Sequence, residues 1–205
     1  MSAPSVDIRP ELAALHVAGD PERWRALGFA VDDGRIALGA AELALGGAGA
    51  GITGWELRNI DAGTTLVDGL VTTVAARPSP RPRTHPNGAV GLDQVVIATP
   101  DFDRTAAALQ RSGMGLRRVR EADGVRQGFR RLGPAILEIV EDPGHLAGPA
   151  RFWGLVVIVN DLEALHDRLR PHLGQVRPAV QPGRHIATLS GAAGLGARVA
   201  FMDPE

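Results

Sequence analysis

The stretches LDQVVIATPDFDRTAAAL (residues 92–109) and FWGLVVIVNDLEALHDRL (residues 152–169) align with each other without a gap, at an offset of 60 residues. Each begins with a run rich in valine and isoleucine and reaches an acidic residue, Asp101 or Asp161, at the same position. Apolar residues at helical spacing follow in both. Because an aspartate before such a run is a helix start signal, each stretch predicts a strand followed by a helix with one buried face.

The repeat continues past the two predicted helices. Three further strand-like runs follow the first helix (SGMGLRRVRE, RQGFRRLG and AILEIVE), and three follow the second (HLGQVRPAV, GRHIATLS and ARVAFMD). Each copy is therefore predicted to be a βαβββ module, the first over residues 89–143 and the second over residues 148–203. A helix covers only one side of such a sheet. We expect the two bare sides to meet around a cleft, so that an α+β domain over residues 89–205 forms a half-open mixed β-barrel.

A proline-rich stretch, AARPSPRPRTHPNG at residues 75–88, is typical of an extended linker. It separates the paired modules from an N-terminal region over residues 8–74. There, a strand-like run, a short helix capped by Asp20 and further strand-like runs predict a reduced βαβββ-like unit with extra strands. An unpaired unit would expose an apolar sheet face, so we expect a homodimer.

Composition excludes several classes of chemistry. The chain has 22 Lys plus Arg and 23 Asp plus Glu, a formal net charge of -1, so nothing indicates binding to nucleic acid or to an anionic membrane. It contains no cysteine and no lysine, which excludes disulfides, thiolate nucleophiles and Schiff-base chemistry. No apolar run is long enough to span a bilayer, and the first residues, MSAPSVDIRPEL, lack the features of a signal peptide. We expect a cytoplasmic protein.

Strand alternation assigns side chains to the predicted cleft. Glu138 in AILEIVE, Gln94 in LDQVVIAT and Arg198 in ARVAFMD each fall on the face opposite the one expected to pack under a helix. The other positions that fall on this side are Val96, Ala98, Ile136, Val140, Gly154, Val156, Ile158, Ala200 and Met202. These positions are expected to face the pocket.

The segments GLDQVVIATPDFDRT, ILEIVED, VVIVNDLEAL and VAFMDPE resemble the vicinal oxygen chelate superfamily, which includes glyoxalases, bleomycin-resistance proteins and extradiol dioxygenases. The resemblance covers residues 89–203 and implies the paired βαβββ fold. In catalytic members, His and Glu residues of the first and fourth strands of each module hold a divalent metal. The matching positions in this chain are Gln94, Glu138, Gly154 and Ala200. Since glycine and alanine have no side-chain donor and glutamine is a weak one, we expect no metal site and no cofactor.

Three residues of the predicted cleft are candidates for function. Glu138 is a candidate residual metal ligand or general base, and the alternative is a carboxylate neutralised by an arginine such as Arg198. Gln94 is a candidate ligand-binding residue, because an amide can orient a carbonyl group. The alternative for Gln94 is a polar side chain bonded to neighbouring backbone. Arg198 is a further candidate for ligand binding.

The third strand of each module supplies candidates whose orientation the sequence leaves open. In GRHIATLS, His185 is suited to acid–base catalysis and Arg184 to binding a carboxylate or phosphate, and only one of them can face the cleft. In RQGFRRLG, the same ambiguity concerns Gln127 and Arg130, both candidate ligand-binding residues. The predicted site therefore combines Glu138 with a subset of these four residues.

The leading hypothesis for function is binding, or weak catalysis, of an unknown small molecule by a superfamily member that lacks an intact metal site, with bleomycin-resistance-like sequestration favoured. The alternative is a metal-dependent lyase, isomerase or dioxygenase of the glyoxalase type, with ligands at unexpected positions such as Glu138, His185 and Gln94. A second alternative is a non-catalytic structural or interaction protein. The sequence leaves open whether any reaction is catalysed.

Overall fold

The computed structural model describes residues 9–122, 124–142, 144 and 147–205, which fold into two mixed sheets with short helices packed on them. The predicted unit boundaries at Ile8 and Pro143 lie outside the described residues. Within the described part, no helix is both long enough and apolar enough to cross a membrane.

The N-terminal sheet consists of two halves, each a group of neighbouring strands, and the two central strands of the sheet pair with each other. Its elements are β1 (Glu11–Val17), α1 (Pro21–Ala26), β2 (Arg35–Leu38), β3 (Ala41–Leu45), β4 (Ile52–Arg58), β5 (Leu66–Val67) and β6 (Leu70–Val74). The strand order is β2-β3-β1-β4-β6-β5, with β1 antiparallel to β4, β3 parallel to β1 and β6 parallel to β4. The expected extra strands therefore form a second, helix-free half, and the first half is βαββ rather than βαβββ.

The C-terminal sheet repeats this plan with eight strands. Its elements are β7 (Ala89–Thr99), α2 (Phe102–Arg111), β8 (Arg118–Ala122), β9 (Val125–Leu132), β10 (Ala135–Glu141), β11 (Arg151–Val159), α3 (Leu162–Leu169), β12 (Arg177–Pro178), β13 (His185–Thr188) and β14 (Arg198–Met202). The strand order is β12-β13-β14-β11-β7-β10-β9-β8, with β7 antiparallel to β11 at the centre. This confirms the predicted α+β fold of two paired βαβββ modules, whose sheet stays open between the edge strands β8 and β12.

The helices begin where the sequence predicts. The Asp101 side chain accepts a hydrogen bond from the Arg104 amide at 3.0 Å, and the Asp161 side chain accepts one from the Ala164 amide at 2.9 Å. Such N-caps satisfy backbone donors that the first helical turn leaves free. The apolar faces pack against the sheet, and burying each leucine side chain contributes about 1.5–3 kcal/mol. The buried helix residues are Phe102, Thr105, Ala108, Leu109, Leu162, Leu165 and Leu169.

The two sheets are joined by contacts that leave one face of the C-terminal sheet uncovered. The linker at residues 75–88 has no strand or helix, but its His85 is buried. The Ala30 amide donates to His85 Nδ1 at 3.0 Å, so Nε2 carries the proton and donates to the Ala37 carbonyl at 2.7 Å. The Phe29 ring stacks on Phe201 of β14, with centroids 6.1 Å apart. These contacts hold the linker and the N-terminal sheet against the C-terminal sheet.

Candidate functional site

The uncovered concave face of the C-terminal sheet forms a cavity of about 1220 Å³. Both modules line it, as predicted from strand alternation, although Ile158, also expected there, does not. The residues placed there as the sequence predicted are Gln94, Val96, Ala98, Ile136, Glu138, Val140, Gly154, Val156, Arg198, Ala200 and Met202. A concave, largely apolar surface between two repeated units is where small-molecule sites commonly form.

Glu138 lies among apolar neighbours near the centre of this cavity. In the sheet it is directly opposite Val96 of β7 on one side and Phe129 of β9 on the other. Gln94 is its diagonal neighbour on β7, opposite Ile136 and Val156, and is itself buried. A carboxylate and an amide are thus held on adjacent strands and point to the same side of the sheet.

The charge of Glu138 is not neutralised. Burial raises the pKa of Glu138 above its ordinary value, and the nearby Arg120 guanidinium opposes this to a smaller extent. The other lining carboxylates differ, because Glu141 binds Arg126 through contacts of 2.8 and 3.0 Å and Asp142 binds Arg151 at 2.5 Å. The hydrogen bond from Arg126 lowers the pKa of Glu141.

Within the described part of the chain, no hydrogen bond or ion pair engages Glu138. Its oxygens are therefore free to accept a proton or a hydrogen bond from a ligand. A carboxylate whose pKa is raised by burial is also a stronger base than an exposed one.

Four arginines give the cleft an excess of positive charge; they are Arg118, Arg120, Arg177 and Arg198. Arg120 donates to the Gln127 side chain at 2.6 Å and lies 5.3 Å from the Phe129 ring centre. Arg198 lies 5.0 Å from the ring centre of Trp153, which is 47% exposed. Among the described residues, no carboxylate forms an ion pair with any of the four. Such a surface attracts anions, and guanidinium groups match the geometry of carboxylate and phosphate.

The structure divides the remaining candidates of the first module. Gln127 lines the cleft, whereas Arg130 does not and is buried. On β9, Gln127 and Phe129 point to the cleft side, so alternation turns Arg130 to the opposite face. The prediction that Arg130 binds the ligand is therefore wrong for this cleft.

In the second module, neither His185 nor Arg184 lines the cleft, contrary to the prediction that one of them does. Arg184 is buried, with Nη1 3.0 Å from an Asp93 carboxylate oxygen and Nε donating to the Asp203 carbonyl at 2.8 Å. It precedes the first residue of β13, so strand alternation does not apply to it. His185 is exposed at the edge and its Nδ1 lies 3.0 Å from the Asp203 carboxylate.

Several lining residues were not singled out from the sequence. Arg118 and Arg120 stand two residues apart in a predicted strand, which is the signal that places both on one face. Arg177 occupies the corresponding strand of the second module. Trp153, which precedes Gly154 in β11, also forms part of the cleft wall.

The donor set does not fit the divalent metal that the superfamily resemblance implies. Among the described residues, no group of three or more His, Cys, Asp or Glu side chains could hold a metal ion. The matching positions offer one carboxylate, Glu138, and one amide, Gln94. A Cβ atom at Gly154 would lie 2.9 Å from the Arg198 carbonyl oxygen, so the sheet itself disfavours a ligand there. The chemistry of the cleft is therefore derived from its side chains alone.

Comparison with known proteins yields structural likeness only. No protein-family model and no curated protein sequence matches the chain. It is similar to methylmalonyl-CoA epimerase from Mycobacterium tuberculosis, with 23% identity, 58% of this chain and 90% of that chain covered, and a TM-score of 0.48. A hypothetical protein from Bacillus halodurans C-125 gives 16% identity, coverage of 56% and 94%, and a TM-score of 0.44.

A variant of Streptomyces coelicolor methylmalonyl-CoA epimerase, in complex with 2-nitronate-propionyl-CoA, gives 18% identity, coverage of 55% and 92%, and a TM-score of 0.44. The paired βαβββ fold observed here is the one that the sequence resemblance to the vicinal oxygen chelate superfamily implies.

Proposed function

We propose that this chain binds a small anionic molecule in the central cleft and that Glu138 moves a proton on it, as in an acid–base isomerase. The observation that carries this proposal is the position of Glu138, a half-buried carboxylate with no ion pair among the described residues, in a cleft whose other unpaired charges belong to four arginines. A base with a raised pKa has a higher proton affinity than an exposed carboxylate, which favours proton abstraction from a substrate.

The residues of the cleft have different roles in such a reaction. Arginines hold the anionic group of the substrate, and the Gln94 amide donates a hydrogen bond to a carbonyl oxygen. Glu138 takes a proton from the carbon next to that carbonyl: the C–H bond breaks, an O–H bond forms on Glu138, and the electron pair moves to the carbonyl oxygen as an enolate. The Arg120 guanidinium favours the negative charge that develops. Return of the proton by Glu138 to a different carbon on the same face, as in the shift of a double bond conjugated with the enolate, completes the isomerisation; return to the same carbon gives proton exchange alone.

A second candidate is reversible binding without chemistry, the bleomycin-resistance-like role. The observation that favours it is the absence of a side-chain donor at Gly154 and Ala200, since the other lining carboxylates of the described cleft, Glu141 and Asp142, are engaged by arginines. A single base can return a proton only to the face from which it was taken. Sequestration needs the arginines but not Glu138, so the two functions differ in what they require.

Solvent exchange distinguishes the two functions. We expect the protein in D₂O to accelerate loss of the α-proton signal, followed by ¹H NMR, for members of a panel of 2-oxo acids and malonate half-thioesters. Glu138→Gln should slow this exchange by about 100-fold or more, which is the usual contribution of a positioned base. The control is Glu163→Gln, a change at an exposed residue of α3 outside the cleft, which should exchange at the wild-type rate.

Two results would count against the proposal. Exchange that is equally fast in Glu138→Gln would show that another group is the base. Anion binding detected by calorimetry, with no exchange in any panel member, would favour sequestration instead.

A further inference from the structure

The cleft arginines form two groups, one from each module. Arg118 and Arg120 belong to β8, the edge strand of the first module, and Arg177 belongs to β12, the edge strand of the second. Arg198 on β14 completes the second group. Because β8 and β12 are opposite edges of one open sheet, the two groups lie on opposite flanks of the cleft.

Each group contains a guanidinium that rests on an aromatic ring. Arg120 is 5.3 Å from the centre of Phe129, and Arg198 is 5.0 Å from the centre of Trp153. Stacking on a ring orients a guanidinium while its N–H groups stay available for an anion. Two groups of arginines of similar construction thus lie on either side of Glu138, whose strand β10 is between theirs in the sheet.

The size of the cleft argues against a ligand with one anionic group. Its volume of about 1220 Å³ exceeds the ~300–1,000 Å³ of ordinary ligand pockets. From β8 to β14 there are five inter-strand spacings, or roughly 24 Å along the curved sheet at about 4.8 Å each. A single small carboxylate would engage one flank and leave the cations of the other without a counter-charge.

We infer that the ligand of this cleft is a dianion, with an acidic group at each end and the reacting carbon between them. This rests on the proposed function and specifies its substrate class. Arg118 and Arg120 bind one acidic group, and Arg177 and Arg198 bind the other. The spacing between the two groups fixes which carbon lies against Glu138, so the same contacts determine affinity and the site of proton transfer.

The test compares the affinities of the protein for α,ω-dicarboxylates of three to twelve carbons. The reference for each dicarboxylate is the monocarboxylate with the same number of carbons. In calorimetry at low salt, we expect one range of lengths to bind at least tenfold more tightly than the matching monocarboxylates. Arg118→Gln/Arg120→Gln and Arg177→Gln/Arg198→Gln should each abolish that advantage. The control is Arg23→Gln/Arg111→Gln, which removes the same charge at exposed sites outside the cleft and should keep the advantage.

The outcomes separate this inference from the function on which it rests. The protein could bind dicarboxylates and monocarboxylates with equal affinity at every length and still catalyse Glu138-dependent exchange. That result would contradict the inference that the ligand is a dianion, but not the proposed function. A wild-type protein that binds neither series and catalyses no exchange would overturn both. An advantage that survives in either cleft double variant, with circular dichroism showing native folding, would also contradict the assignment of the two flanks.

Discussion

The two sheets of this molecule share one plan of strand order but differ in how their charges are paired. On the N-terminal sheet, the polar side chains of one face contact each other: His16 lies 3.1 Å from Glu56, and Arg35 forms an ion pair with Glu42. On the cleft face of the C-terminal sheet, Glu138 and the four lining arginines have no such partners among the described residues. We therefore expect a ligand site only on the face where the charges are left unpaired.

The C-terminal sheet also carries a charged pair away from its cleft. The Arg184–Asp93 contact of 3.0 Å is buried, with side-chain exposures of 6% and 9%. We expect Arg184→Met to lower the free energy of unfolding by about 3–5 kcal/mol, because it leaves the Asp93 charge buried without its partner. The matched change in the N-terminal sheet, Arg35→Met, removes a more exposed pair and should cost about 1 kcal/mol or less.

Urea denaturation of the two variants measures this contrast. If both variants lost a similar amount of unfolding free energy, the depth of burial would not explain the difference between the Arg184–Asp93 and Arg35–Glu42 pairs. That result would contradict the comparison of the two sheets.

The assignment of side chains to the cleft face can be tested by introducing metal-binding residues at two of these positions. Gln94→His with Ala200→Glu places two new ligands on either side of Val156, on the same face as Glu138. Gly154 is left unchanged because a Cβ there would meet the Arg198 backbone. We expect about 100-fold tighter binding of Ni²⁺ than in the wild type, since three N/O ligands can now converge.

Calorimetric titration with NiCl₂ measures this affinity. Each single variant is a control, whose affinity for Ni²⁺ should increase little over that of the wild type. No gain in the double variant would show that these side chains do not share one pocket.

Stability should depend on pH through Glu138. Its pKa is raised in the folded chain by burial, so the folded state favours the protonated form. The free energy of unfolding should therefore fall as pH rises from the ordinary glutamate range through the raised pKa, and then level off. For every tenfold difference in proton affinity between the folded and unfolded chain, the fall amounts to about 1.4 kcal/mol. Glu138→Gln removes this fall.

Urea midpoints at pH 4, 6 and 8 check the sign: Glu138→Gln should be more stable than the wild type at pH 8 and lose that advantage toward pH 4. The opposite slope would mean that Glu138 is stabilised as an anion by a partner.

The smallest effect is expected on the open face of the N-terminal sheet. Glu56→Gln removes the contact with His16, whose side chain is 39% exposed. Since pairs of this kind contribute roughly 0–1 kcal/mol, thermal unfolding should shift by no more than a few degrees. A loss above about 2 kcal/mol would show that this face is held together by its charges.

The sequence predicts the C-terminal half well because a gapless repeat and strand alternation act together there. The repeat locates both helices, and alternation puts Gln94, Glu138 and Arg198 on the cleft side, where the structure has them. Alternation cannot orient a residue such as Arg184, which precedes its strand and is directed by a partner distant in sequence, Asp93.

The N-terminal half is less predictable for a related reason. Strands β4 to β6 of the N-terminal sheet are not accompanied by a helix, so the helical periodicity that identifies a module is absent there. Pairing of β6 parallel to β4 depends on contacts across the sheet that no local pattern records.

A ¹H–¹⁵N NMR titration with a dicarboxylate of the best-binding length decides whether the unpaired charges of the C-terminal cleft form the ligand site. We expect saturable shifts for the amides of Gln94, Glu138 and Gly154 and none for those of His16 and Glu56. Shifts confined to the N-terminal sheet, or equal shifts on both sheets, would contradict this assignment.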